Sequence, residues 1–284
     1  MEGFFLRGGM FRDVPAADGN GTVAVLQGVS FETAILSSIH AGWQHLLYSD
    51  PKPPAEVEGK SFPLAYHVWG GIAMKSYYPF ENTPLPYAYD ALEPYIDEKT
   101  MQLHHDRHLK TYIDNLNSIL KKYPQFQTLT LEQLIRTTGQ MPGKDCVAIA
   151  RNAGGVYNHR FFFNGMCPDG KKAPEGALAA AIDRRFGSLN FFREKLTETA
   201  LSVFGSGYVW LVNGKQGLCL VTTANQETPA GIVKPLFNLD MWEHAYYLKH
   251  YNKRADYIND WWNVINWELA EQNYKCSCIT LRSK

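Results

Sequence analysis

The chain carries little of what would place it in several large classes. It has no net charge, with 28 Lys and Arg against 28 Asp and Glu in 284 residues. That balance excludes a broadly basic nucleic-acid binder. It has no long hydrophobic run: stretches such as Thr22 to Leu26 fall far short of the ~20 apolar residues that a bilayer span requires, so no membrane partner is expected. It is also poor in cysteine. Five thiols (Cys146, Cys167, Cys219, Cys276 and Cys278) cannot all pair within one chain, which argues against a disulfide scaffold and for a reducing, cytoplasmic compartment. Cys276-Ser277-Cys278 has no second Cys or His pair beside it and reads as part of a loose tail over residues 273–284. What is present is ordinary globular material: 45% apolar and 20% charged residues, enough for one or two domains with a substantial core.

Residues 1–73 stand apart. They hold four basic residues against seven acidic ones, unlike an acid-poor organellar transit peptide, and they lack the basic start and clean apolar stretch of a secretory signal. Gly8-Gly9, Gly19-Asn20-Gly21 and Pro51-Lys52-Pro53-Pro54 interrupt the segment, and only Phe31 to Leu47 has weak helical spacing. A poorly ordered or independently packed extension is expected, with Met74 as an alternative start.

From Met74 onward the patterning is dense. Tyr77 to Pro94 is an extended, Tyr- and Pro-rich lead-in. Asp97 is a good N-cap for a long helix to about Lys121, which Pro124 ends. Thr130 with Gln133 makes a capping box for a short helix over Leu131 to Thr137. A further helix runs from about Asp145 to Asn164, stopped by Gly165; its internal Gly154-Gly155 costs ~1 kcal/mol each against Ala and predicts a close neighbour there. Pro174 to Phe186 and, after Ser188, Leu189 to Val203 complete the helical part. The period then changes to that of strands at Tyr208 to Val212 and Leu218 to Thr223, with Asn213-Gly214 read as their turn, and at Val233 to Leu239. Helix returns from about Trp242 and again over Tyr257 to Trp267. Helices first, then a small antiparallel sheet with helices, is an α+β layout.

Titratable residues fall into three separated groups. His104, His108 and Tyr112 recur every four residues and share one helix face; alone they also suit a polar surface stripe, but Met101, Leu103, Ile113 and Leu116 flank them. His159 lies among aromatics in Asn158 to Phe163, where a lone histidine also suits a satisfied core residue. Asp240 and His244 span a strand-to-helix handover, where a helix cap with a solvated histidine would serve as well. Taken together, three imidazoles and one carboxylate suit a transition-metal ion and not Ca²⁺ or Mg²⁺, which prefer oxygen-rich shells. Zinc also fits on ligand type alone.

Several stretches resemble the iron/manganese superoxide dismutases, over about Lys75 to Glu271. They are the lead-in Leu85 to Pro94, Met101 to Tyr112, Asn152 to His159, Phe204-Gly205-Ser206-Gly207 with Trp210, and above all Asp240-Met241-Trp242-Glu243-His244-Ala245-Tyr246-Tyr247. The resemblance implies an N-terminal helical hairpin domain (74–167) followed by an α/β domain with a three-stranded antiparallel sheet (168–272). It implies that His104, His159, Asp240 and His244 bind one Mn ion per chain, with Fe or either metal as the alternative, and that superoxide is converted to dioxygen and hydrogen peroxide, an antioxidant activity. Gln226 would hydrogen-bond the solvent on the metal, Tyr112 would contact Gln226 and close the substrate funnel, and Arg254 would draw the anion inward. Trp210 and Trp242 would wall the pocket. His108, Glu243 and Tyr247 would lie at the contact of a homodimer or dimer of dimers. Phe163 and Tyr208 stand where most members carry Trp, Ala255 where Pro is frequent, and Val156-Tyr157 where manganese members often carry a His-containing pair. Gly155 with Gln226 looks manganese-type, whereas Val156-Tyr157-Asn158-His159 and Phe163 look more like iron or metal-tolerant members. A non-haem iron oxygenase, a zinc hydrolase and a non-catalytic relative are the rival readings; the third histidine, the lack of a general base and the intact Gln/Tyr pair count against them in turn.

Overall fold

The computed structural model describes residues 66–69, 72–75, 77–138, 144–229 and 233–282, with side chains described between Tyr77 and Ser277. The glycine and proline breaks before residue 60 and the helical spacing of 31–47 lie outside the described residues. Within the expected extension, β1 (Tyr66–Trp69) pairs antiparallel with β2 (Ile72–Lys75), Tyr66 opposite Lys75. The expected boundary at 73/74 therefore falls inside a strand.

The long N-terminal helix forms as expected but is not uniform. Asp97 caps α1 (Glu98–Leu103) by accepting from the Thr100 N–H at 2.8 Å. The helix then widens into a π-helical turn, His104–Leu109, before tightening again into α2 (Lys110–Leu120). The extra residue in such a turn rotates the following face, and π turns concentrate at functional sites. On α2, Ile113, Leu116 and Leu120 form the buried stripe. Pro124 ends the run in a single 3₁₀ turn, and α3 (Leu131–Thr137) carries the complete Thr130/Gln133 capping box.

α4 (Cys146–Asn164) is the central helix. From Ala153 to Asn164 every residue is buried, because α2 and α3 cover one side and the sheet the other. A helix buried all round needs no polar face, which is why Val156 and Phe161 to Phe163 crowd its circumference. The close neighbours foreseen at Gly154-Gly155 are present: a Cβ on Gly154 would collide with the Gln226 carbonyl oxygen, and one on Gly155 would stand 2.5 Å from the Tyr112 ring. α5 (Gly176–Phe186) and α6 (Leu189–Ser202) follow, α6 capped by Ser188.

The sheet has β3 (Gly207–Gly214) between β4 (Gly217–Ala224) and β5 (Lys234–Asp240), all antiparallel. The α+β layout and the three-stranded sheet are thus as expected, but the hairpin turn is not. Asn213 pairs with Leu218 and Gly214 with Gly217, so Lys215-Gln216 form the loop and Gly217, at φ +90°, closes it. Asn213 is drawn into the strand because its side chain is buried and donates to Ser277 Oγ at 2.7 Å. Between β3 and β5 the register shifts at Leu211/Val212, where Pro235 brings no N–H to the ladder.

The C-terminal helices are shorter than their patterns. Trp242 opens only a 3₁₀ turn (Glu243–Ala245), followed by α7 (Tyr247–His250), α8 (Arg254–Trp261), another 3₁₀ turn (Trp262–Val264) and α9 (Trp267–Arg282). α9 corrects the reading of 273–284 as a loose tail. Asn273 donates to the Leu236 carbonyl at 3.0 Å and Ser277 is buried against Asn213, so this turn of helix is fastened to the sheet. Cys276 is exposed, and Cys278 lies beyond the described side chains.

Asn213→Ala would strip the Ser277 hydroxyl of its buried donor. The expected loss is ~1–3 kcal/mol of stability, read from the midpoint of urea unfolding.

Candidate metal centre

Four elements deliver one side chain each to a common point. The π turn presents His104, the middle of α4 presents His159, the last residue of β5 is Asp240, and the following 3₁₀ turn carries His244. One nitrogen or oxygen from each lies within 4.8 Å of all the others. Three of the residues are buried, and the His244 side chain is 12% exposed.

In His159 and Asp240 one atom is left free because the rest of the side chain is spoken for, whereas both ring nitrogens of His104 are without a hydrogen-bond partner. His159 Nδ1 stands 2.7 Å from the Gly155 carbonyl one turn back along α4. A carbonyl only accepts, so Nδ1 carries the hydrogen and Nε2 keeps its lone pair. Asp240 Oδ1 accepts from the Trp242 N–H at 2.8 Å, and its carbonyl accepts from the Tyr257 hydroxyl at 2.9 Å. That leaves Oδ2, which His104 Nε2 and His244 Nε2 approach to 3.2 and 3.5 Å. None of His104 Nε2, His159 Nε2, Asp240 Oδ2 and His244 Nε2 has a hydrogen-bond partner. Four buried, unpartnered polar atoms facing one another are costly unless a cation completes them. Nitrogen and oxygen ligands sit ~2 Å from such ions, so neighbouring ligands stand ~3 Å apart, close to the spacings around Oδ2. The residues present therefore fit a single transition-metal ion.

The protonation states agree. Burial drives the His104 imidazole down to about 4, with His244 adding to the shift and Asp240 opposing it. Burial, and then His104, push His159 well below its ordinary value. Burial alone would raise the Asp240 carboxyl, but the imidazoles of His104 and His244 held against it keep it well below the usual carboxylate range. At neutral pH His104 and His159 are uncharged and Asp240 is ionised, as metal binding requires.

His105, adjacent in sequence, is turned away. Its Nε2 stands 2.9 Å from the Thr83 carbonyl and its Nδ1 2.7 Å from Asp106 Oδ1, and the Tyr89 hydroxyl donates to the same carboxylate oxygen at 2.8 Å. This cluster fastens the lead-in to the π turn and so fixes where His104 points.

Around the four ligands lies a polar chain. Gln226 is buried just beyond β4, after Asn225 in the left-handed region at φ 50°, a conformation that asparagine tolerates. Gln226 Nε2 donates to the Tyr112 hydroxyl at 3.1 Å, while its Oε1 accepts from Asn158 Nδ2 and from the Tyr208 hydroxyl, each at 3.2 Å. Burial raises the Tyr112 pKa, although its bond with Gln226 lowers it. The Tyr112 ring lies 5.2 Å from His159.

The other expected residues are placed unevenly. The exposed ring of His108 stacks on His244 at 4.1 Å, and Trp242 stacks on its side at 5.4 Å. Trp210 lies one layer back, against Tyr208 at 5.9 Å and Phe161 at 5.6 Å, with its indole N–H on Thr223 Oγ1. Phe163 and Tyr208 are the rings beside the ligands, at 4.9 Å from His104 and 6.3 Å from His159. Arg254 is anchored on carbonyls at the end of α6, donating to Val203 at 2.9 Å and Ala200 at 3.3 Å. Glu243 and Tyr247 are exposed, near the strand-to-helix handover. Asn158 and Tyr208 were not foreseen as members of the polar chain; the only signal was their nearness in sequence to His159 and the sheet.

Comparison with known proteins agrees with this geometry. Residues 79–167 match the alpha-hairpin domain of the iron/manganese superoxide dismutases, and residues 174–273 match their C-terminal domain. The superoxide dismutase [Mn] of Thermus aquaticus is 46% identical over 200 residues, covering 70% of this chain and 98% of that protein. The superoxide dismutase [Mn] of Escherichia coli K12 is 44% identical over 201 residues, covering 67% and 95%. Superoxide dismutase [Mn] 1 of Leptolyngbya boryana is 45% identical over 200 residues, covering 69% and 81%. With both domains matched in order, and a three-histidine, one-aspartate cradle held where they meet the sheet, the chain belongs to the iron/manganese superoxide dismutase family, oxidoreductases that dismute superoxide.

Proposed function

We propose that His104, His159, Asp240 and His244 hold one Mn ion per chain, with Fe as the alternative, and that residues 74–167 and 168–272 are the two domains that enclose it. The observation that carries this is the set of four unpartnered ligand atoms within 4.8 Å of one another. When bound, the ion supplies one-electron redox chemistry, taking an electron from one superoxide and passing it to the next. The relatives named above are manganese enzymes. The Mn reading is further supported by Gly155: with Tyr112 where it is, there is no room for a side chain at 155, and Gln226 supplies an amide from the sheet side.

The residues around the ligands then have separable roles. Asp240 contributes the single negative charge of the ligand set, so the loaded centre stays positive and attracts an anion. Gln226 uses one amide hydrogen on Tyr112 and keeps the other for the centre. Tyr112, accepting from Gln226, has its own hydrogen free for the peroxide that forms. Phe163 and Trp242 exclude water on either side of His104 and His244. Arg254 adds positive charge to the approach while bracing α6.

We also propose a homodimer, or a dimer of dimers, formed through the face around His108, Glu243 and Tyr247, with Glu243 of one chain meeting His244 of the partner subunit. The exposed rings of Tyr247 and Tyr251, 6.3 Å apart, give that face apolar area. Among the described residues no helix is long and apolar enough to cross a membrane, and the thiols Cys146, Cys167 and Cys219, none of them in a disulfide, favour a cytoplasmic location.

Protein reconstituted separately with Mn, Fe or Zn should consume superoxide rapidly with Mn or Fe and not with Zn. His159→Ala should lose bound metal, and activity should fall at least 100-fold; retained activity at unchanged metal content overturns the ligand assignment. Stripping the metal should lower the unfolding temperature, because a ligand at 1,000 times its Kd stabilises by ~4 kcal/mol, and adding Mn back should restore it. Glu243→Ala should shift sedimentation from dimer towards monomer at micromolar protein.

A further inference from the structure

Tyr208 is fully buried at the start of β3, directly opposite Asp240 on β5. Its hydroxyl donates to Gln226 Oε1 at 3.2 Å, and its ring meets His159 edge-on at 6.3 Å. It thus touches the amide beside the centre and two of the four ligand-bearing residues while ligating nothing itself. The other donor to Gln226 Oε1 is Asn158 Nδ2, which also serves the Glu227 carbonyl at 3.1 Å. Without the hydroxyl, the Gln226 oxygen would depend on a single amide donor that also serves Glu227. With it, two donors pull on the carbonyl, fix which end of the amide is nitrogen, and make the Nε2 hydrogens better donors.

We propose that Tyr208 is a positioning residue of the metal centre: its hydroxyl locks the Gln226 amide and couples it to the Asp240 side of the ligand set. This rests on the ligand assignment proposed above. A ring present only for packing would keep its role without the oxygen, because Trp210 packs against it at 5.9 Å and would support phenylalanine equally well.

The test uses full-length, Mn-loaded protein. Tyr208→Phe should keep the wild-type metal content but lower kcat about tenfold or more, the usual cost of losing such a supporting bond. The visible band of the oxidised metal and the midpoint potential should move with it. Incorporating 3-fluorotyrosine at 208 strengthens the donor with almost no change of shape, and should move band and potential in the opposite sense. Should Tyr208→Phe fail to fold, the fluorotyrosine protein alone decides. A wild-type band and potential in the folded variants overturn this inference and leave the ligand assignment standing. A His159→Ala variant that keeps its metal overturns the assignment and this inference with it.

Discussion

The structure depends on keeping one carboxylate and three imidazoles together where water is excluded. Asp240 is fully buried, and an ionised carboxylate there is tolerable only with positive charge or donors around it. One of its oxygens is satisfied by the Trp242 N–H; the other is surrounded by imidazole nitrogens without hydrogen-bond partners. A bound cation resolves all four deficits at once. The fold is arranged to hold that arrangement still: a β-strand ends at Asp240, a helix buried on every side carries His159, and a widened helical turn carries His104.

Rigidity around the ligands comes from short, specific links. The Gly155 carbonyl fixes the His159 ring, Tyr257 holds the Asp240 backbone, and the His105–Asp106–Tyr89 cluster fastens the π turn to the lead-in. The two glycines of α4 let Tyr112 and the Gln226 loop approach the helix backbone, which brings the amide and the phenol within reach of each other. A methyl group at either glycine would separate parts that the chemistry needs in contact. The weak helix propensity of Gly154-Gly155 and the hydrogen bond at the centre are therefore one fact seen at two levels.

Reading the chain succeeded where the cause was local and failed where a distant contact prevailed. The Thr130/Gln133 capping box, the Asp97 and Ser188 caps and the stop at Gly165 were legible because each acts over a few residues. Asn213-Gly214 carried the stronger turn signal, yet the bond to Ser277 on α9 held Asn213 in the strand and moved the turn to Lys215-Gln216. The same contact made helix of residues read as tail. Trp210 was expected to wall the pocket, but Tyr208 and Phe163 are the rings beside the ligands.

By itself the sequence determined the order of elements, the α+β class and a short roster of metal-binding side chains, because periodicity, caps and residue chemistry are properties of neighbours along the chain. Only the tertiary structure decided what turns His105 away from the centre, that His159 Nε2 and Asp240 Oδ2 are the atoms left unpartnered, and that Asn158 and Tyr208 complete the chain from Gln226. Those outcomes depend on packing between segments far apart in sequence, where one extra residue in a helical turn or one buried amide redirects a side chain.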